Sequence, residues 1–291
     1  MQTIKKYFIS YSLLLISLLP LPILYLLSDF LFILILYVIK YRNKVVDLNL
    51  KNAFPEKTDK ERHQIKVDFY RFFADLLVEC IKMRSISSKQ VMKRWTFTNL
   101  EVLQHYYEQK QSIIFVTGHY GNWEWGIFAL SLLGLHTPKV VYKPIHDTVF
   151  ESIFNQMRSR FGAEMIPTKR ILRKIVSLKG QTHSSVFLAD QTPAYKESDL
   201  FIPFLKQETL VYKGIERIAK ITGYPVVFCH IDRTRRGYYS CDFRTIIDDP
   251  SGYEDNKITY IYNEYLENII KEKPALWLWS HKRWKHRRQH D

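Results

Sequence analysis

From Tyr7 to Ile39 the chain runs YFISYSLLLISLLPLPILYLLSDFLFILILYVI, with Asp29 its one carboxylate and no basic side chain. No other feature constrains the fold as strongly. As one helix at ~1.5 Å per residue the run is about 50 Å long, against a hydrocarbon core of ~30 Å. A single straight span overshoots, and Pro20 and Pro22 supply the place to kink. Lys5 and Lys6 precede the run, and Lys40, Arg42 and Lys44 come after it. The larger basic group after the segment predicts a cytoplasmic location for the C-terminal remainder of the chain. A cleaved signal peptide fits less well: the run is too long, and no small-x-small site precedes a polar start. A core helix is the bland alternative, but the segment is apolar on nearly every face. We expect residues 1–45 to anchor the chain in a membrane and residues 46–291 to form one domain.

Beyond residue 45 the pattern changes. Two helical pieces are predicted over 46–82, broken at Phe54-Pro55, with Thr58 and Glu61 at capping-box spacing. Then β-rich runs alternate with helical stretches. The runs are Ile113–Thr117, Lys139–Lys143, Ser185–Ala189, Pro225–Asp232 and Tyr238–Ile247; helices are predicted near 122–133, 147–161, 168–179, 208–222 and 257–273. Such alternation predicts an α/β fold with a mostly parallel sheet flanked by helices. The RTRRG turn between the last two runs makes the sheet mixed. Cys80, Cys229 and Cys241 are dispersed and show no paired spacing, which argues against a disulfide framework or a zinc cluster. The net charge of +14 seeks an acidic partner. The 43 aromatic residues suit a core or a bilayer interface equally. No helix-turn-helix, RNA-recognition or zinc-finger pattern supports a nucleic-acid partner.

The stretch IIFVTGHYGNWEWG at 113–126 concentrates the chemistry. His119 comes just after a strand end, where ligands bind in open α/β sheets. Gly118 and Gly121 allow tight turning. Asn122 is a good helix cap, which puts Glu124 in the first helical turn, able to face the His119 ring. An imidazole titrating near neutral pH suits removal of a proton from an attacking alcohol. A carboxylate on its other nitrogen fixes the tautomer. Backbone N–H groups at the helix start can receive a developing oxyanion. The absence of a G-x-S-x-G elbow favours direct transfer without an acyl-enzyme. A lone His-x4-Glu is as readily a structural contact. Its place after a strand, among glycines and tryptophans, raises it above that.

GHYGNWEWG resembles the His-x4-Asp/Glu motif of lysophospholipid-type acyltransferases, above all the late lipid A biosynthesis acyltransferases. Further stretches agree in order: YRNKVVDLNLKNAFPEKT at 41–58, VVYKP at 140–144, MRSRFG at 157–162, FLADQ at 187–191, and Pro274 with WLWSHKRWKHR at 277–287. The resemblance covers nearly the whole chain. It implies an acyl-carrier-protein donor, a lipid A precursor as acceptor, an inner-membrane location with the catalytic domain facing the cytoplasm, and an apolar acyl groove. No metal or organic cofactor is implied. On this reading His119 and Glu124 are catalytic. Arg158, Lys143, Asn122, Asp190 and Gln191 touch substrate, with Lys213 and Arg217 weaker candidates for phosphate binding. Asp190 is read as holding an active-site arginine or the catalytic turn, or as a structural turn residue. The basic stretch His281–His290 is read as gripping anionic headgroups. Two departures stand out. Lys143 replaces an arginine and loses its planar fork. IPFLKQET at 202–209 lacks the family's F-F-G-x-P form, which bears on acceptor and chain-length preference. Two other readings are kept: a different lipid acceptor with the same catalytic pair, and a non-catalytic protein binding anionic lipid at the membrane.

Overall fold

The computed structural model describes residues 2–178, 180–193, 197–286 and 288. The apolar run divides where its prolines sit. Helix α1 (Gln2–Leu18) ends before Pro20, and α2 (Leu21–Ile33) starts after it, continuing as a wider π-helical turn over Leu34–Val38. Leu21–Val38 is 18 residues long, enough by length and composition to cross a membrane. One edge of this segment packs on the protein: Leu21, Leu24, Ile35 and Leu36 join the main core. Leu26, Phe30, Val38 and Ile39 stay exposed. Polar groups pin the packed edge. Ser28 Oγ donates to Asp75 Oδ1 at 2.6 Å, Tyr25 Oη to Glu79 Oε1 at 2.7 Å, and Arg236 reaches Asp29 at 2.7 Å.

Helix α3 (Asn43–Ala53) comes next, and then α4 (Asp59–Lys82), opened by the Thr58–Glu61 capping box that the spacing predicts. The domain continues through α5 (Ser88–Arg94), β1 (Trp95–Thr98), α6 (Leu100–Glu108), β2 (Ile113–Thr117), α7 (Trp123–Leu133), β3 (Thr137–Tyr142) and α8 (Thr148–Arg158). It completes with β4 (Glu164–Pro167), α9 (Ile171–Ser177), β5 (His183–Leu188), β6 (Phe201–Phe204), β7 (Gln207–Leu210), α10 (Gly214–Thr222), β8 (Val226–Arg235), β9 (Tyr238–Ile247) and α11 (Lys257–Glu272).

Seven strands form one sheet in the order β1-β9-β8-β2-β5-β3-β4. Every neighbouring pair is parallel except β8 and β9, which the turn at Arg236-Gly237 joins antiparallel. The expected mixed, mostly parallel sheet is therefore present. Strand β2 lies at its centre, and all five of its residues are buried, as a strand covered on both faces requires. The order places the C-terminal ends of β2 and β5 side by side, with Thr117 opposite Leu188.

The predicted helix at 208–222 is corrected. Residues 207–210 are strand β7, paired with β6 in a separate hairpin, and the helix begins only at Gly214. The hairpin turns on Leu205 and Lys206, both at positive φ (48° and 59°). This is the left-handed geometry that glycine or asparagine ordinarily supplies. Leu205 holds it because its side chain is fully buried and its N–H donates to Glu267 Oε2 at 2.9 Å.

Candidate active site

Strand β2 ends at Thr117, whose hydroxyl is tied to the Cys229 carbonyl at 2.9 Å. The chain then makes a tight turn through Gly118 and Gly121. A side chain on Gly118 would meet Leu266 at 2.7 Å and Asp190 at 3.3 Å, and Gly121 sits at φ +61° against the Ile231 backbone. Between these glycines His119 is held from three directions. Its N–H donates to Asp190 Oδ2 at 2.8 Å, and its Nδ1 lies 2.6 Å from Asp190 Oδ1. Its carbonyl accepts from the N–H of Leu278 at 3.1 Å. The ring meets Trp123 edge-on at 4.9 Å.

Asp190, at the end of β5, is buried. Burial alone pushes its carboxyl up. The charge of a protonated His119, the two hydrogen bonds from that residue and a 2.8 Å bond from Trp277 Nε1 overcome this and hold it down at about 2. An ionised carboxylate only accepts, so Nδ1 of His119 carries a proton. In the neutral ring Nε2 is then the acceptor. It faces the cleft, 3.1 Å from Gln191 Nε2.

The sequence reading set Glu124 against His119. The structure pairs it elsewhere. Glu124 is in the first turn of α7 as expected, only 4% exposed, and it is gripped by the fork of Arg158, Nε to Oε2 at 2.7 Å and Nη2 to Oε1. Trp123 Nε1 adds a bond to Glu124 Oε1 at 3.2 Å. Burial works against the charge of Arg158, and Glu124 more than restores it, leaving the guanidinium above its ordinary range. The carboxylate that orients His119 is thus Asp190, 71 residues downstream.

Asn122 caps α7 as predicted, its Oδ1 accepting from the N–H of Trp125 at 2.8 Å. Expected also to touch substrate, it is instead fully buried. Its Nδ2 donates to Glu79 Oε2 at 2.6 Å, beneath the turn. Glu79 also accepts from Tyr239 and Tyr25, and burial pushes its carboxyl up despite these bonds. Glu79 therefore connects α2, α4, α7 and β9 at one point.

His119, Trp123, Glu124, Tyr142, Arg158 and Gln191 line one cleft of about 300 Å³. Lys143 stands at its edge, 64% exposed and 3.7 Å from Glu197. Lys213 lies in a neighbouring groove with Arg217, and pairs with Asp199 at 2.5 Å. Below Trp123 a narrow apolar slot continues under α7, walled by Ile127, Leu130, Cys229, Cys241 and Phe243.

The C-terminal segment closes the back of the site, a role that the motif reading left unassigned. Tyr120 pairs with Trp277 in an antiparallel bridge, and the Gly121 N–H donates to the Leu276 carbonyl at 3.0 Å. Arg283 is fully buried: Nη1 donates to the Leu210 carbonyl at 2.7 Å, and burial lowers its guanidinium to about 10. Burial likewise holds His281 down at about 4, so it is neutral at physiological pH. The dense Trp, His and Arg spacing at 277–284 was the available signal; its partners were not legible. Arg287, Gln289 and His290 lie outside the described residues.

The family model for bacterial lipid A biosynthesis acyltransferases matches residues 2–286. The chain is 26% identical over 276 residues to the lipid A biosynthesis lauroyltransferase of Escherichia coli (strain K12), covering 92% of this chain and 87% of the relative. It is 25% identical over 253 residues to the lipid A biosynthesis palmitoleoyltransferase of the same organism, covering 86% and 80%. A lipid A biosynthesis acyltransferase of Haemophilus influenzae is 22% identical over 240 residues, covering 79% and 72%.

Proposed function

The chain belongs to the bacterial lipid A biosynthesis acyltransferase family, and on that premise we propose that it moves a fatty-acyl group from acyl-carrier protein to a hydroxyl of a lipid A precursor. The observation that carries the mechanism is the 2.6 Å pair between His119 Nδ1 and Asp190, at the end of the central strands and facing a cleft. His119 Nε2 accepts the proton of the acceptor hydroxyl as its oxygen attacks the thioester carbonyl. Asp190 holds the tautomer and stabilises the imidazolium that forms. Backbone N–H groups at the start of α7 and the Arg158 guanidinium stand beside the cleft to meet negative charge on the carbonyl oxygen or on phosphate. As the tetrahedral species collapses, the carrier thiolate leaves and takes the proton back from His119. The product is an ester and a free carrier thiol.

Glu124 keeps a role through Arg158: its carboxylate fixes the guanidinium in the cleft. Lys143 and Gln191 contact substrate at the mouth and beside Nε2. The slot below Trp123 is apolar, and at about 40 Å³ it admits only the start of an acyl chain unless α7 shifts. The exposed apolar side of α1 and α2 anchors the protein in the inner membrane, with the cleft on the cytoplasmic side.

The test is a mass-spectrometric transfer assay. Membranes carrying wild-type protein or His119→Ala are incubated with acyl-carrier protein charged with a fatty acid and a tetra-acylated lipid A precursor. Wild type is expected to add one acyl mass and the variant to fall by about 10²–10⁴-fold. Acylation of a different membrane lipid by wild type alone would keep the chemistry and replace the acceptor. Equal products from both proteins would remove His119 from the mechanism. No transfer to any lipid would leave a binding role.

A further inference from the structure

A second concavity, of about 700 Å³, lies between α3, the β6–β7 hairpin and the C-terminal segment, and shares no lining residue with the cleft. Lys44, Lys282, Lys285 and Arg288 line it, against a single carboxylate among the described lining residues, Glu208, 3.5 Å from Arg288. An excess of basic groups around a concave surface concentrates field lines and attracts an anion. Its wall is also apolar. Leu48 is 57% exposed, and Trp284 is fixed in place by its Nε1 bond to Thr209 at 2.7 Å.

Position selects the kind of anion. Lys44, in the first turn of α3, follows Val38, the end of the apolar helix, after a short connection. The same helix α3 is tied to the C-terminal segment through Asn49 Nδ2, which donates to the carbonyls of Trp279 at 2.9 Å and His281 at 3.0 Å. Arg42 donates to the Ser280 carbonyl at 2.8 Å. The groove is therefore held beside the point where the chain leaves its apolar segment, which is the level of lipid headgroups on the reading that this segment enters a bilayer. Basic side chains and a tryptophan are what that level selects.

We propose that this groove binds the anionic phosphate headgroup of a lipid. Lys282, Lys285 and Lys44 supply the charge, and Trp284 and Leu48 rest against the first carbons of the lipid. The phosphate comes either from a bilayer phospholipid or, on the acyl-transfer reading, from the acceptor glycolipid. Binding itself does not depend on that reading.

The full chain, purified in dodecyl maltoside, is titrated with phosphatidylglycerol, phosphatidylcholine and a bis-phosphorylated lipid A precursor, and retained lipid is counted by native mass spectrometry. The Lys282→Glu/Lys285→Glu protein is compared with wild type and with Lys282→Arg/Lys285→Arg, which keeps the charge. The expected result is at least about tenfold weaker retention of an anionic lipid by the Glu variant, full retention by the Arg variant, and unchanged phosphatidylcholine binding. Loss for phosphatidylglycerol identifies a bilayer lipid; loss for the precursor alone identifies the acceptor. Equal retention by all three proteins overturns the proposal. So does a Glu variant that keeps its lipids but loses affinity for acyl-carrier protein, since the groove would then be a protein-docking surface. A Glu variant whose thermal midpoint drops is replaced by Lys285→Gln, for which the same loss of anionic lipid is expected and unchanged retention overturns the proposal.

Discussion

The cleft and the basic groove use charge in opposite ways. In the cleft, charged groups are buried and answered: Asp190 by His119 and Trp277, Glu124 by Arg158. Such pairs cost heavily in desolvation, and what they secure is fixed geometry rather than net stability. In the groove, Lys44, Lys282 and Lys285 are exposed and alike in sign. They cost the fold little, and among the described residues their ammonium groups form no ion pair. The first arrangement suits chemistry on a positioned atom, and the second suits recruitment of a mobile anion.

Truncating a charge should cost most where the charge is buried. Arg158→Met leaves Glu124 buried without its fork and is expected to cost about 3–5 kcal/mol in thermal or urea unfolding. Adding Glu124→Leu should restore much of that loss. A single variant as stable as wild type would mean that the pair is not desolvated as described.

His281 sharpens the contrast through pH. Its folded value is depressed to about 4 from an ordinary 6.5. Between those values the unfolded chain binds the extra proton, so stability falls as pH falls through that window, by up to about 3 kcal/mol. His281→Leu should remove this share of the acid sensitivity. Unfolding curves for both proteins from pH 7 to 4 check it, and parallel curves would place the imidazole in solvent.

Asn122→Ala removes a helix cap and the bond to Glu79. The expected loss is about 1–2 kcal/mol from the cap alone, read as a lower unfolding midpoint. Lys285→Met, in the groove, should change stability by no more than about 0.5 kcal/mol. A larger loss would make the groove lysines structural.

Legibility in the sequence tracks the range of the interactions involved. The β2 and β9 boundaries, the Thr58–Glu61 cap and the Asn122 cap depend on neighbours in the chain, and spacing revealed them. Strands β1 and β4, four residues each, carry too little pattern to stand out. The β6–β7 hairpin hid behind a Leu-Lys turn where glycine or asparagine would have announced it. Glu124 was assigned to His119 because it lies five residues away. Asp190 does hold the catalytic turn, one of the roles its place after a strand suggested, through the His119 N–H. Its pairing with the His119 ring was not visible: the parallel order of β2 and β5 brings the two together, and no local spacing records that order. The same holds for Trp277, which reaches Asp190 from the far end of the chain.

Asp190→Asn distinguishes Asp190 from Glu124 as the carboxylate that orients His119. The measurement is the rate of acyl transfer to a lipid A precursor by this variant, alongside its thermal midpoint. The variant is expected to fold and to transfer about 10²–10⁴-fold more slowly, because the amide no longer fixes the His119 tautomer or stabilises the imidazolium. A folded Asp190→Asn protein within a few-fold of the wild-type rate would contradict this expectation and return the orienting role to Glu124.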